Sequence, residues 1–353
     1  MMASKTLAVK YRPKTFEDVT EQESIKIILN QQLESDEMKN AYLFCGPAGC
    51  GKTTCARIFA NEINKGQGNP IEMDAASNSG VDDVRGIIQQ AQTKSLDSEY
   101  KVFIIDECHS ISNTGWQAFL KLIEEPPAKS IFIFCTTDPQ KIPNTILSRV
   151  QRYDFTKISQ RGIVNRLDWI IDKEIKEGNL PTGDHQDLEA MEYIAKIADG
   201  GMRDAISLMD KALAYSTDLT LENVVNALGT TDYDTMVDLA VDIVNFRNDK
   251  IIERIETIYN SGRDIKQFVK QFTQFLLDVQ KYSIMHDKAW KYMSIPELDQ
   301  YKKVFATWEE EESYGILFDM LDIFVTLNST IKYSSTPKYD IEAEILLYTM
   351  KED

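Results

Sequence analysis

Residues Gly46-Pro47-Ala48-Gly49-Cys50-Gly51-Lys52-Thr53 follow the spacing GxxxxGK(S/T) at every fixed position, and Thr54 extends the run. That spacing suits one task. Glycines let the backbone curl until its N–H groups face phosphate oxygens, and the N-terminus of a following helix adds partial positive charge. Lys52 is then expected to reach the β- and γ-phosphates of a nucleotide, and the Thr53 hydroxyl to ligate Mg²⁺. A second candidate lies at Val102-Phe103-Ile104-Ile105-Asp106-Glu107, where an apolar strand delivers two adjacent carboxylates to its end. Asp106 is expected to hold the Mg²⁺, and Glu107 to orient and deprotonate an attacking water. Alone, such a strand end also fits a solvated loop; behind a phosphate loop it points to triphosphate hydrolysis. Cys45, Cys50 and Cys55 are evenly spaced and Cys108-His109 lie elsewhere, but no C-x2-C pair occurs, so no zinc site is expected. Cys50, at a helix N-terminus, could carry a reactive thiol, although nothing in the spacing demands it.

These groups need elements to hold them. A helix is expected over 21–33, with Ile25, Ile27, Ile28 and Leu33 apolar, then a strand over 41–45 running into the phosphate loop. The next helix continues through Ala56, Ile58, Phe59 and Ile63. The runs 101–105 and 130–135 are short, rich in Val, Ile and Phe, and uncharged inside, which suits strands buried on both faces of a parallel sheet. Strands alternating with helices imply a three-layer α/β domain over 1–160. The segment 124–129, EEPPAK, stops a helix before the last of these strands.

After Phe155 the strand signals vanish. Helices are expected over 161–177, 188–198 and 202–213, with a loop at 178–184 and a lid-sized domain ending near 228–230. The remainder, 229–353, reads as helical throughout. Its apolar stripes are Met236/Leu239/Ile243, Phe268/Phe272/Phe275/Val279 and Leu317/Met320/Phe324, and they suit a core. The run 309–312 reads as a solvated face.

The chain has 353 residues, 43% of them hydrophobic and 27% charged, which excludes a mostly disordered polypeptide and allows two or three domains. Uninterrupted apolar runs are too short to cross a bilayer, and the N-terminus lacks an apolar signal region. An odd count of five cysteines argues for reduced thiols in a cytoplasm. The net charge of −17 divides unevenly: residues 1–160 carry 18 basic and 20 acidic side chains, and 161–353 carry 21 and 36. The near-neutral part is the one with the phosphate loop, so the overall acidity does not exclude nucleic acid.

Taken together, the motifs resemble those of the AAA+ ATPases of sliding-clamp loaders, such as bacterial DNA polymerase III gamma/tau and replication factor C small subunits. Lys10-Tyr11-Arg12-Pro13-Lys14-Thr15-Phe16, ending near Val19, is similar to the family's adenine-site box. The loop at 46–54 is similar to Walker A, and IIDECHSIS to a Walker B strand in its DExH form. LIEEPP at 122–127 matches the family's next helix end, Thr136-Thr137-Asp138-Pro139-Gln140-Lys141 sensor 1, Thr145-Ile146-Leu147-Ser148-Arg149 the SRC motif, and Gly201-Met202-Arg203-Asp204-Ala205 sensor 2. The likeness is strong over 8–230 and weaker beyond.

The resemblance implies ATP and Mg²⁺ as cofactors, with Tyr11, Arg12, Pro13 and Val19 at the adenine. Gly46, Ala48, Gly49, Cys50, Gly51, Lys52, Thr53 and Thr54 would cradle the phosphates. Thr137 would stand near the γ-phosphate, and Arg203 would contact the nucleotide from the lid. Arg149 would act in trans on ATP held by a neighbouring subunit. It further implies a pentameric ring with other loader subunits, a sliding clamp and primer-template DNA as partners, no membrane, and a bacterial or phage-infected cytoplasm. DNA contacts map onto Asn78, Arg85, Asn113, Lys141 and Thr145. Asn78 and Asn113 stand where bacterial relatives often carry arginine, so weaker contact per subunit is expected. Two departures stand out: 61–70 holds no cysteine, so the family's four-cysteine zinc module is expected to be absent, and SRV replaces SRC. The chain is expected to stop near the helical collar, like a divergent, phage-type relative. A branch-migration helicase, a helicase loader and a non-catalytic scaffold subunit stay as alternatives; Lys52, Thr53, Asp106 and Glu107 disfavour the scaffold.

Overall fold

The alternation of apolar runs and amphipathic segments resolves, in a computed structural model, into a sheet flanked by helices and followed by helices alone. The structure describes residues 6–35, 37–78, 80–95, 97–181, 187–228, 232–262, 264–310 and 313–351. The chain divides into two compact units, Met1–Leu221 and Glu222–Asp353. This division falls ahead of the 228–230 boundary read from the sequence, of which 229 and 230 lie outside the described residues, as do 182–184 of the expected loop.

The first unit runs α1 (Leu7–Lys10), α2 (Glu23–Ser35), β1 (Ala41–Cys45), α3 (Lys52–Ile63), β2 (Ile71–Asp74), α4 (Val81–Ala91) and β3 (Lys101–Asp106). It continues through α5 (Asn113–Glu124), β4 (Ser130–Thr136), α6 (Asn144–Leu147), β5 (Gln151–Asp154), α7 (Gln160–Lys176), α8 (Leu188–Ile197) and α9 (Met202–Tyr215). The five strands form one sheet in the order β2-β3-β4-β1-β5, and every pairing is parallel. Cys45 pairs with Thr136 and Asp154, and Asp74 with Asp106. The strand ends that carry chemistry therefore share the carboxyl edge, where open α/β sheets bind ligands.

β1 and β4 are buried along their whole length. Successive side chains alternate between two cores. Tyr42, Phe44, Ile104 and Ile133 pack with Phe59 of α3 and Leu29 of α2. Leu43, Phe103, Phe132 and Phe134 pack with Val84 of α4 and Trp116 and Phe119 of α5.

β2 and β5 have no counterpart in the sequence reading. Both are edge strands, IEMD and QRYD, with a single fully buried residue each, so neither shows an apolar run. The helix expected over 21–33 begins instead at Glu23. Glu21 and Gln22 adopt φ of 57° and 60°, outside helical backbone, because their side chains reach back to the segment leading into α7. Gln22 donates through Nε2 to the Thr156 carbonyl (2.8 Å) and accepts from its N–H (3.3 Å). Glu21 accepts from the Ser159 N–H and hydroxyl, at 3.1 and 2.5 Å.

The second unit holds α10 (Leu221–Leu228, whose first residue belongs to the first unit), α11 (Asp232–Val244), α12 (Asn248–Asn260), α13 (Ile265–Met285), α14 (Asp299–Glu310), α15 (Tyr314–Thr330) and α16 (Pro337–Thr349). All three stripes read from the sequence lie in its core, with Phe272 and Phe324 in edge contact at 4.8 Å. Glu309 is exposed; residues 311 and 312 of the acidic run lie outside the described residues. The expectation about apolar length needs correction: Tyr314–Tyr333 is long and apolar enough by length and composition to cross a membrane, with mean hydropathy 1.2. Uninterrupted apolar runs do not reveal it because Asp319 and Asp322 break the apolar run within a continuous helix. Its Leu317, Met320, Phe324 and Leu327 are buried in the core of this unit.

Asp278 on α13 is fully buried. Its carboxylate accepts from the Ser294 and Ile295 N–H groups (3.2 Å for the latter), Lys281 Nζ (2.8 Å) and Gln274 Nε2 (3.2 Å). Asp278→Ala would strand these donors. A loss of about 3 kcal/mol is expected, read as a lowered urea midpoint for the second unit.

Candidate nucleotide-binding site

The phosphate loop leaves β1 and enters α3 through backbone that side chains would obstruct. Gly46 has φ 151°, and a Cβ there would lie 2.5 Å from the Phe155 carbonyl oxygen. Gly49 has φ 70°, and a Cβ would lie 2.9 Å from Gly201 Cα. The Met202 N–H donates to the Gly49 carbonyl at 3.0 Å. This seam of glycine against glycine sets the N-terminus of α9, with Arg203 and Asp204, against the loop.

A cavity of about 470 Å³ lies beside it, within the range of small-molecule sites. The phosphate loop from Ala48 through Thr54, with Asp106 and Glu107, forms one part of its wall. Tyr11, Arg12, Pro13 and Val19 form another, and Arg203 a third. The residues expected at the nucleotide within this subunit thus meet in one place, apart from Gly46, whose backbone carbonyl accepts from Lys52, and Thr137, neither of which lines the cavity. Met202 and Asp204, beside Arg203 in the segment likened to sensor 2, also line it, as do Ala8, Thr20, Arg57, Ile158, Arg166 and Ile206, which no motif marks. Ile206 was visible only as an apolar helix position. Arg57 is tied to Glu72 by two bonds, at 2.7 and 2.5 Å.

Lys52 Nζ donates to the Gly46 and Pro47 carbonyls, at 2.8 and 2.7 Å. Its ammonium is held by the loop itself, so a triphosphate would take over donors already gathered there. Thr53 Oγ1 donates to Asp106 Oδ2 at 2.7 Å. One hydroxyl and one carboxylate in contact fit a single hard cation, and Mg²⁺ commonly takes its remaining ligands from phosphate and water. Among the described residues no group of three or more His, Cys, Asp or Glu could hold a metal by itself.

Glu107 sits in left-handed backbone, φ 47°, immediately after β3. Its Oε2 accepts from Thr137 Oγ1 at 3.3 Å and lies 3.3 Å from His109 Nδ1. His109 Nδ1 is also 3.1 Å from Thr136 Oγ1. Thr137 therefore touches the expected base but does not line the cavity. The five cysteines are free and buried. Burial pushes the Cys50 thiol up despite the nearby Lys52 charge, and its Sγ donates to the Pro47 carbonyl at 3.0 Å, so a reactive thiolate there is not supported.

The Tyr11 box is fastened to α7, to the residue after it, and to α9. The Leu7 N–H donates to Asp210 Oδ2 at 3.2 Å. Tyr11 OH and Lys10 Nζ both donate to Glu174 Oε1 at 2.5 Å, and Lys10 also reaches Glu177 at 2.6 Å. Burial alone raises the Glu174 pKa, but the bonds from Lys10 and Tyr11 outweigh it and hold the group below its ordinary value of 4.5. A depressed folded value means stabilisation that is complete above the unfolded pKa and lost as pH falls through the folded one. Melting temperatures of the wild type and Glu174→Gln should therefore differ most at neutral pH and converge below 4.5.

Arg149 lies outside the cavity lining. It is exposed, paired to Glu124 at 2.8 Å, and donates to the Thr145 carbonyl and Ser148 hydroxyl at 2.7 and 3.0 Å. Asn78, Arg85, Asn113, Lys141 and Thr145 are all exposed, on the connections leaving the carboxyl ends of β2, β3 and β4. Arg85 pairs with Asp82 (2.9 Å) and Lys141 with Asp138 (3.2 Å).

A phosphate loop on this five-stranded parallel sheet, closed by a helical lid, is the architecture of an AAA+ ATPase. Thermotoga maritima RuvB, a Holliday junction branch migration motor, shares the fold, with TM-score 0.51 and 20% identity over 72% of this chain and 86% of its own. Three family descriptions match in succession: "DNA polymerase III, delta subunit" over 65–159, "DNA polymerase III clamp loader subunit, ATPase lid domain" over 182–218, and "DNA polymerase III subunits gamma and tau domain III" over 219–349. DNA polymerase III subunit tau of Bacillus subtilis is 33% identical over 98% of this chain and 63% of its own length. The gamma/tau subunit of Mycobacterium bovis is 34% identical over 76% of this chain and 50% of its own. The chain belongs to the gamma/tau-like clamp-loader AAA+ ATPases. It spans about half to two thirds of the length of these relatives.

Proposed function

We propose that the chain is an ATPase subunit of a sliding-clamp loader, using ATP binding and hydrolysis to open a clamp and place it on primer-template DNA. The observation that carries this reading is the meeting of Lys52, Thr53, Asp106 and Glu107 with the lid residue Arg203 around one cavity. Lys52 and the loop amides would bind the phosphates, and Thr53 and Asp106 would hold Mg²⁺, which supplies charge neutralisation at the transferring phosphoryl group. Glu107, steadied by Thr137, would take a proton from the attacking water. Arg203 would tie lid position to the bound nucleotide.

Arg149 stands on the surface away from its own cavity, a position that suits insertion into a neighbouring subunit's site in a pentameric ring. The exposed set Asn78, Arg85, Asn113, Lys141 and Thr145 shares one edge of the sheet, where it could follow a duplex backbone through helix starts and a few charges. With Arg85 and Lys141 each beside an aspartate, phosphate contact per subunit would be modest, and a rigid ring would make up the affinity by multivalency.

The direct test is clamp retention on primed circular DNA. In the presence of ATP, the complex containing this chain should leave clamp on the DNA through gel filtration. Equal retention without ATP, or with Lys52→Ala in its place, contradicts the reading.

A further inference from the structure

Arg166 on α7 is a cation that the phosphate chemistry above does not use. It lines the nucleotide cavity and also a neighbouring one of about 380 Å³, with Val19 and Thr20 forming part of both walls. Its Cζ lies 4.2 Å over the Trp169 ring, and its Nη2 donates to the Tyr11 carbonyl at 2.9 Å. Neither partner is in the phosphate loop.

Unlike Arg57, Arg149 and Arg152, which pair with Glu72, Glu124 and Asp154, Arg166 has no carboxylate within ion-pair distance among the described residues. Asp18 influences it from farther away, while its own carboxylate accepts from the Lys14 N–H and Thr15 hydroxyl. A guanidinium carries five N–H donors in a rigid fork. One is accounted for. Burying part of an unpaired cation is costly unless something uses its donors.

The fork is also fixed in direction. Trp169 packs edge-on against Tyr11 at 5.7 Å, and Tyr11 is anchored by Glu174. A donor aimed by the Trp169 ring, itself braced by Tyr11, and by a backbone bond is organised before any ligand arrives, which limits the entropy lost on binding.

We propose that Arg166 is a nucleoside-reading residue, donating hydrogen bonds to acceptor atoms of the base or sugar rather than to the phosphates. This rests on the reading of the cavity as a nucleotide site. Such a contact is the same for triphosphate and diphosphate and for ground and transition state, so it is uniform binding.

The test is nucleotide titration of the full chain, with turnover of the assembled complex. Arg166→Met keeps the apolar stem over Trp169 and removes the donors. It is expected to weaken ATP and ADP by the same factor, about tenfold, raising KM with kcat unchanged. Arg166→Gln, which restores an N–H donor, should recover part of the loss, and it reports in place of the Met variant should that one fail to fold. Wild-type affinity in both variants, or a loss confined to ATP, overturns the proposal. If the wild-type chain itself binds no ATP, the nucleotide reading of the cavity fails instead, and the two failures are distinct.

Discussion

Arg149→Ala is expected to lower ATP turnover of the assembled complex by about 10³-fold or more, the range for loss of an arginine that stabilises a transferring phosphoryl group from a neighbouring subunit. ATP affinity of the isolated chain should not change, because Arg149 does not line its own cavity. Stability should change little. The side chain is 40% exposed, and its partner Glu124 is 44% exposed; a pair in that setting contributes about 0–1 kcal/mol. The measurement is steady-state turnover of complexes mixed from wild-type and variant chains, beside a thermal melt of the variant alone. A variant that loses turnover as an isolated chain would place Arg149 in its own site and contradict action in trans.

Glu107→Gln should bind ATP as the wild type does and turn it over about 10²–10⁴-fold more slowly. Glutamine keeps the shape, so it can occupy the same left-handed backbone and keep the contact with Thr137, 3.3 Å in the wild type. What it lacks is a carboxylate to take a proton. Lys52→Ala differs in kind, because it removes a cation from the binding surface and should depress affinity as well as rate. A Glu107→Gln protein with wild-type turnover would mean that the base lies elsewhere, with His109 the nearest other candidate.

The residues that were legible in the sequence are those whose signal is local. The phosphate loop is one contiguous segment with fixed spacing. The Asp106-Glu107 strand is an apolar run ended by two charges. Both could be read because the physics that builds them acts between neighbours in the chain. β2 and β5 were not legible, because an edge strand with one fully buried residue carries no apolar run. The start of α2 was misplaced because the periodicity of Ile25 and Ile28 extends smoothly back to Glu21. Only the tertiary bonds of Glu21 and Gln22 to Ser159 and Thr156 stop the helix there.

Arg166 and Glu174 went unseen for the same reason in stronger form. Arg166 meets Tyr11 across 155 positions, and Glu174 meets it across 163. No pattern in α7 announces either contact. The box at 10–16 was recognisable by resemblance, yet what fixes it in place is a set of side chains on α7, beside its end and on α9 that only the fold brings near.

Whether this nucleotide site serves clamp loading is tested most directly by ATP turnover of the assembled complex. With clamp and primed DNA present together, turnover should rise well above the level with either alone, and Lys52→Ala should abolish the rise. Turnover indifferent to clamp and primed DNA would contradict the claim.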